Sequence, residues 1–245
     1  MKNFYIHIGP HKTGTKTIQY NLKTEEKKLL KKNIYIPKSC RMWGLPTHHL
    51  LALELLNRTT NKKVNTIKLL KEIKRVNSNV LISSEDLRFV INKKKKFLLF
   101  LNEIKKLKFN IIFIFCERSG LNYLKSIYFQ IKKEKKINFF YLFIYLKDIY
   151  TKGYFKDKNN DLWYYDNKIF LNDFKKVFNG KFIIFKYSKE NLYHNFINSF
   201  IKKPYKITNK KIYLNKSKSK FYNPIWIVTN VIISLLGKFI ISKYN

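Results

Sequence analysis

Short runs of β-branched and aromatic residues alternate along this chain with longer amphipathic stretches, and that alternation admits few folds. Strands separated by helices pair in parallel, so the pattern specifies βαβ units around a mainly parallel sheet. The strand runs are Phe4 to Ile8, Val80 to Ser83, Asn110 to Cys116 and Lys181 to Lys186, with a weaker one at Asn33 to Ile36. Helical periodicity predicts helices over Thr15 to Lys31, Thr47 to Leu56, Val64 to Val76, Lys96 to Leu107, Leu121 to Ile131 and Ile169 to Phe178. Residues Thr151 to Asn167 lack a period and read as an irregular surface connection, and Lys202 to Lys220 read as loop. The lysine runs Lys93 to Lys96 and Lys132 to Lys136 read as solvated helix ends. A length of 245 residues suits one α/β domain over 1–245, closed by an apolar helix at about 223–242.

The formal charge of +36 invites a nucleic-acid or membrane reading, because clustered cations neutralise phosphates. Only five of the 51 basic residues are Arg, namely Arg41, Arg58, Arg75, Arg88 and Arg118, and the lysines are scattered over the whole chain. A dedicated nucleic-acid reader concentrates charge on one element and uses arginine forks, so no specific nucleic acid is expected. Attraction for anionic substrates follows from the charge in any case. Cys40 and Cys116 lack metal-ligand spacing and are too few for a disulfide framework, which predicts free thiols. The N-terminal residues run directly into a strand without a signal-like apolar region, and the expected location is the cytoplasm.

Chemistry concentrates first at Ile6-His7-Ile8-Gly9-Pro10-His11-Lys12-Thr13-Gly14-Thr15-Lys16-Thr17, a strand that passes through a glycine-containing turn into a helix. Such a loop points backbone N–H groups and the positive end of a helix dipole at one small volume, where an oxyanion fits. Gly9 and Gly14 obey the Walker A spacing, but Thr15 occupies the lysine position and Lys16 comes one residue late. One residue on a helix turns the side chain by about 100°, so a P-loop kinase using ATP loses its main cation. His7 and His11 flank the loop without a third ligand at matching spacing, and no metal site is expected.

Ligands of open parallel sheets bind beyond the carboxyl ends of the strands. The Asn110 to Cys116 run ends at Glu117-Arg118, and Ser126 lies in the helix that follows. Arginine offers a planar fork for phosphate and the serine a hydroxyl, against the alternative of a surface ion pair and an incidental helical serine. The Val80 to Ser83 run ends at Ser84-Glu85-Asp86-Leu87, where a carboxylate can take a proton, although Ser83 to Asp86 also has the form of a helix cap. His48 and His49 stand at a helix start, as acceptor-positioning groups, as alternative bases, or as solvated histidines.

The first loop is similar to the 5′-phosphosulfate loop of the sulfotransferases that use 3′-phosphoadenosine-5′-phosphosulfate (PAPS), in which lysine precedes the small residues; the family form is H-I-G-P-H-K-T-G-T-T-S-I-Q. Lys16 and Thr17 depart from it. Arg118 and Ser126, eight residues apart, resemble the family's 3′-phosphate site, and S-S-E-D-L resembles a string of its bacterial members that makes Glu85 the base. The stretch containing His48 also looks like the family, and weaker similarity runs on through Trp163 to Tyr165, Phe182 to Tyr187 and Asn215 to Ser217. The resemblance implies a three-layer, P-loop-like α/β fold and sulfuryl transfer from PAPS to an acceptor hydroxyl, on a glycan or glycan precursor. It implies Lys12, Glu85 and His48 as catalytic groups, and Lys12, Thr13, Gly14, Thr15, Lys16, Thr17, Arg118 and Ser126 as donor-binding groups. No metal is required on this reading, since lysine and the helix terminus supply positive charge. The other classes are the kinase and a noncatalytic basic binder of membrane surface or nucleic acid. The closing segment Ile225 to Ser242 is expected to cap the core, its Thr229-Asn230 and Ser234 forming a polar stripe; peripheral contact with an anionic inner-membrane surface is the alternative.

Overall fold

The computed structural model describes residues 1–9, 11–42, 44–58, 66–135, 141–157, 159–201, 205 and 224–244. Pro10, Val64, Lys136 and the expected loop Lys202 to Lys220, apart from Tyr205, lie outside them, as does Asn215 to Ser217. The chain groups into two compact units, one of residues 1–117 and 175–215, the other of residues 118–174 and 216–245.

In the first unit the strands β1 (Lys2–His7), β2 (Ile34–Tyr35), β3 (Asn79–Ser83), β4 (Phe109–Glu117) and β7 (Lys181–Lys186) form one sheet in the order β2-β3-β1-β4-β7. Every pairing in it is parallel. The alternation of side chains across each strand sorts the core into two faces. Tyr5, Leu81, Ile112, Ile114, Cys116 and Phe185 share one, packed with Ile18 and Leu22 of α1 (Thr15–Thr24) and with Tyr193, Phe196 and Ile197 of α9 (Leu192–Asn198). On the other face Phe4 meets Phe100, and Phe113 meets Phe97, both from α5 (Lys94–Lys106). The expected three-layer α/β architecture with a parallel central sheet is therefore the one adopted.

Several elements differ from the sequence reading. The single helix expected over Thr15 to Lys31 is broken at Glu25 into α1 and α2 (Glu26–Lys31). The Glu25 carboxylate is buried, accepts a hydrogen bond from the Tyr205 hydroxyl at 2.6 Å and lies 3.6 Å from the Lys28 ammonium. Past β3 the chain winds as a 3-10 helix over Glu85–Lys93, with Ser84 capping it by accepting from the Asp86 N–H. α3 (His49–Leu55) is shorter than expected, and α4 (Thr66–Lys74) ends two residues before the expected Val76. Cys40 and Cys116 are free thiols.

The second unit holds α6 (Leu121–Lys135), α7 (Tyr141–Lys152), a hairpin of β5 (Tyr154–Lys156) and β6 (Leu162–Tyr164), and α10 (Pro224–Tyr244); α8 (Asn167–Val177) begins in it. The hairpin replaces the irregular connection expected over Thr151 to Asn167. One carboxylate organises it: Asp157 accepts from the N–H groups of Asn159 and Asp161 and from the Trp163 indole at 2.9 Å, and Trp163, Tyr164 and Tyr165 are buried. α10 packs on α6 and α7, with Thr229, Ile233, Gly237 and Ile240 buried. A Cβ on Gly237 would stand 2.7 Å from Leu121, so this glycine sets the closeness of α10 and α6. Among the described residues no helix is long and apolar enough to cross a membrane.

Phe97 is fully buried against the rings of Phe100, Phe113 and Phe178, whereas Leu99 on the same helix is exposed. Phe97→Ala is expected to lower stability by about 3–5 kcal/mol, and Leu99→Ala by no more than about 0.5 kcal/mol. Urea unfolding of both variants checks the assignment of this face as core.

Candidate active site

Strands of a parallel sheet finish at one edge, and β1 lies between β3 and β4 there. The loop after β1 and the residues after β3 therefore converge. In the register His7 pairs with Ser83, which puts both side chains on one face, and the His7 Nδ1 lies 2.8 Å from the Ser83 Oγ.

Backbone conformation shapes the loop. Lys12 and Gly14 both take positive φ, at 65° and 76°, in the left-handed region that L side chains rarely enter. Gly14 is the N-cap of α1; it offers no side chain to the helix, and its carbonyl receives the N–H groups of Thr17 and Ile18. The N–H groups of Thr15 and Lys16 thus face the loop with no carbonyl one turn back to bond. Gly14 has a second reason to be glycine, since a Cβ there would stand 2.3 Å from Leu192. At Gly9 a Cβ would come within 2.6 Å of the Thr15 Oγ1. That hydroxyl is buried and makes no hydrogen bond among the described residues, so Gly9 keeps open the space into which an unsatisfied donor points. Thr13, Thr15 and Thr17 are buried, while Lys12 and Lys16 extend into solvent. These features fit a tetrahedral oxyanion: free N–H groups at a helix terminus and an unpartnered hydroxyl, on a loop that carries two exposed lysines.

Next to the loop stands a titratable cluster. His11 is buried, 3.9 Å from Glu85 and 3.6 Å from Asp86; these separations are ion-pair range but too long for hydrogen bonds. The other Asp86 oxygen lies 3.2 Å from His49 Nδ1, and Ser84 Oγ lies 3.0 Å from the same nitrogen. Because serine and carboxylate share one ring nitrogen, the three cannot form a nucleophilic relay, which needs them on opposite nitrogens. Burial alone would raise the Asp86 carboxyl, but the His49 hydrogen bond and nearby positive charge, Arg58 included, hold it below the usual carboxylate range. Glu85 lies at the start of the 3-10 helix and is only partly covered. At about three residues per turn Arg88 falls on the same side. Arg88 is buried, 5.4 Å from the Phe89 ring, which packs 5.5 Å from His11.

His48 is placed differently from His49. It is wholly buried, its Nδ1 accepts the Ser83 N–H at 3.2 Å, and its Nε2 lies 3.2 Å from the Pro37 carbonyl. Those two bonds fix a neutral tautomer protonated at Nε2 and leave no ring nitrogen for an acceptor. Arg118 and Ser126 belong to the second unit. The Arg118 guanidinium lies 5.6 Å from the Tyr123 ring, and Ser126 donates to the Asn122 carbonyl at 2.7 Å. Of this cluster the acidic pair at the end of β3 and His49 were legible in the sequence as candidate bases, whereas His11 was read only as a flank of the loop and Arg88 was not singled out.

Burial pushes the imidazoles of His7, His11 and His48 down to about 3, with Arg88, His49 and Lys12 adding to the effect at His11 against the pull of Asp86. The unfolded chain takes up these protons below its ordinary value of 6.5, whereas the folded chain refuses them until far lower pH. Stability is therefore complete above that value and falls on acidification, by up to about 1.4 kcal/mol per pH unit for each histidine. Thermal scans should show the midpoint dropping steadily from about pH 7 to about pH 5, with a shallower slope in His48→Gln. An unchanged midpoint over that range would mean that these rings are not held neutral.

No family model and no curated protein matches the chain. Among solved structures, a sulfotransferase from Alicyclobacillus acidocaldarius matches with a TM-score of 0.47 at 9% identity, over 96% of this chain and 93% of that one.

Proposed function

We propose that the chain is a sulfotransferase that moves the sulfuryl group of PAPS to a hydroxyl of a glycan or glycan precursor. The observation that carries this reading is the loop itself: two left-handed residues, Lys12 and Gly14, lead into a helix start with free N–H groups at Thr15 and Lys16 and a buried Thr15 hydroxyl unpartnered among the described residues. A lysine ahead of the helix, with threonine in the Walker lysine position, suits a phosphosulfate better than a triphosphate.

On this reading Lys12 and the N–H groups of Thr15 and Lys16 hold the 5′-phosphate, the Thr17 N–H being engaged by the Gly14 carbonyl. They neutralise the charge that gathers on the bridging oxygen as its bond to sulfur breaks. The acceptor oxygen attacks sulfur, its proton passes to the Glu85 carboxylate, and adenosine-3′,5′-bisphosphate leaves with the electron pair. Glu85 is chosen because it is partly exposed beside the loop, whereas both nitrogens of His48 are engaged by backbone. His48 then serves by tying Ser83 to Pro37. Arg118 and Ser126 are assigned to the 3′-phosphate, which distinguishes PAPS from ATP. The loop supplies its positive charge from the protein, and the assignment calls on no metal.

Titration calorimetry should show adenosine-3′,5′-bisphosphate binding at least about tenfold more tightly than AMP, with Arg118→Ala costing about 2 kcal/mol of that affinity. Equal affinity for the two nucleotides would remove the 3′-phosphate assignment. In a sulfuryl-transfer assay Lys12→Ala should abolish turnover with the fold retained, and Glu85→Gln should slow turnover by about 10²-fold or more while leaving donor affinity unchanged. Activity that survives Lys12→Ala but not Lys16→Ala would point instead to a kinase.

A further inference from the structure

α10 is two-faced in a way that its sequence conceals. Thr229, Ile233, Gly237 and Ile240 are buried on the side packed against α6 and α7, so Thr229 of the polar stripe is turned in. At about 100° per residue the opposite side presents Val231, Leu235 and Phe239 as one ridge with Leu236 beside it. These side chains are 50%, 60%, 71% and 43% exposed. A ridge of four large apolar residues on one helix is more than the scattered exposed hydrophobics of an ordinary surface. α7 of the same unit also turns Phe143, Ile144 and Tyr150 outward.

Charge selects the occupant. From Asn191 to the last residue the sequence holds ten lysines and no Asp or Glu. Lys238 is exposed next to the ridge, and Lys216, Lys218 and Lys220 precede the helix in sequence. A second copy of the chain, with the same charge of +36, would bring cations against cations. An apolar helical ridge accompanied by lysines and free of carboxylates is the pattern that seats a helix in the headgroup layer of an anionic bilayer. We infer that the outward face of α10 docks the chain peripherally on an anionic phospholipid surface, with Val231, Leu235, Leu236 and Phe239 entering the acyl boundary and the neighbouring lysines on the phosphates. This inference is independent of the proposed transfer reaction.

Co-sedimentation of the full chain with phosphatidylcholine vesicles, and with vesicles that also contain phosphatidylglycerol, tests it. The chain should sediment with the anionic vesicles and not the neutral ones, more weakly as salt is raised. The double variant Leu235→Ser/Phe239→Ser should lower the partition coefficient at least about tenfold. Both side chains are largely exposed, so the variant should retain its thermal midpoint; Phe239→Ser alone, expected to bind about threefold or more weakly, serves should the pair destabilise the fold. Failure of the wild type to sediment, or undiminished binding by the folded variants, overturns the inference. So does a wild-type dimer, seen by analytical ultracentrifugation, that the variants dissolve without any vesicle binding, since the ridge would then cover a second copy.

Discussion

The site depends on β1 running parallel to both of its neighbours. Because β3 and β4 flank it in the same direction, the turn leaving His7 and the turn leaving Ser83 must open at one edge of the sheet. Had β3 been antiparallel, the carboxylates of Glu85 and Asp86 would have been carried away from the loop. The register then sets the finer geometry, through the His7–Ser83 pair and the bonds from the Ser84 N–H to the His7 carbonyl and from the His48 N–H to the Ser83 carbonyl. Three strand-end residues are thereby locked to one another before any side chain reaches a ligand.

That lock costs polar burial. His7 lies among the rings of Phe185 and Phe196, and among the described residues its Nε2 lacks a partner, as do buried polar atoms of the Thr15, Gln19 and Thr47 side chains. An unsatisfied buried polar group costs about 1–3 kcal/mol, so several around one loop are not what packing alone would select. The left-handed Lys12 adds backbone strain of the same order. Strain and unsatisfied donors gathered at one strand end are expected where a protein is organised around a group it binds, since that group restores the missing bonds.

How much of this was legible follows from where the signals reside. The five sheet strands stand close to their expected positions because buried parallel strands read as continuous apolar runs, as in Asn110 to Cys116. The loop was legible because its glycines, lysine and threonines are contiguous. α7 was not predicted: its Tyr, Phe and Ile residues carry strand preference, and its helical form comes from packing. The β5–β6 hairpin was missed since its strands are three residues each and depend on one carboxylate, Asp157, gathering three donors. The 3-10 helix was illegible for a related reason. Nine residues in that geometry are unusual, and the setting back of Arg88 beneath Glu85 is a consequence of its tighter turn.

The lysine excess has two different physical meanings along the chain. Through most of the first unit it is interspersed with acidic residues that form local pairs, such as Arg41 with Glu26 and Lys28 with Glu25, so the field there is partly cancelled. After Glu190 the sequence supplies ten lysines and no carboxylate side chain. Scattered lysines with counter-charges keep a protein soluble, whereas an uncompensated run beside an exposed apolar ridge creates a surface that water does not favour and an anionic boundary does. Composition alone cannot separate the two, since both contribute equally to +36. The distinction comes from position: which lysines face carboxylates, and which adjoin the outward side of α10.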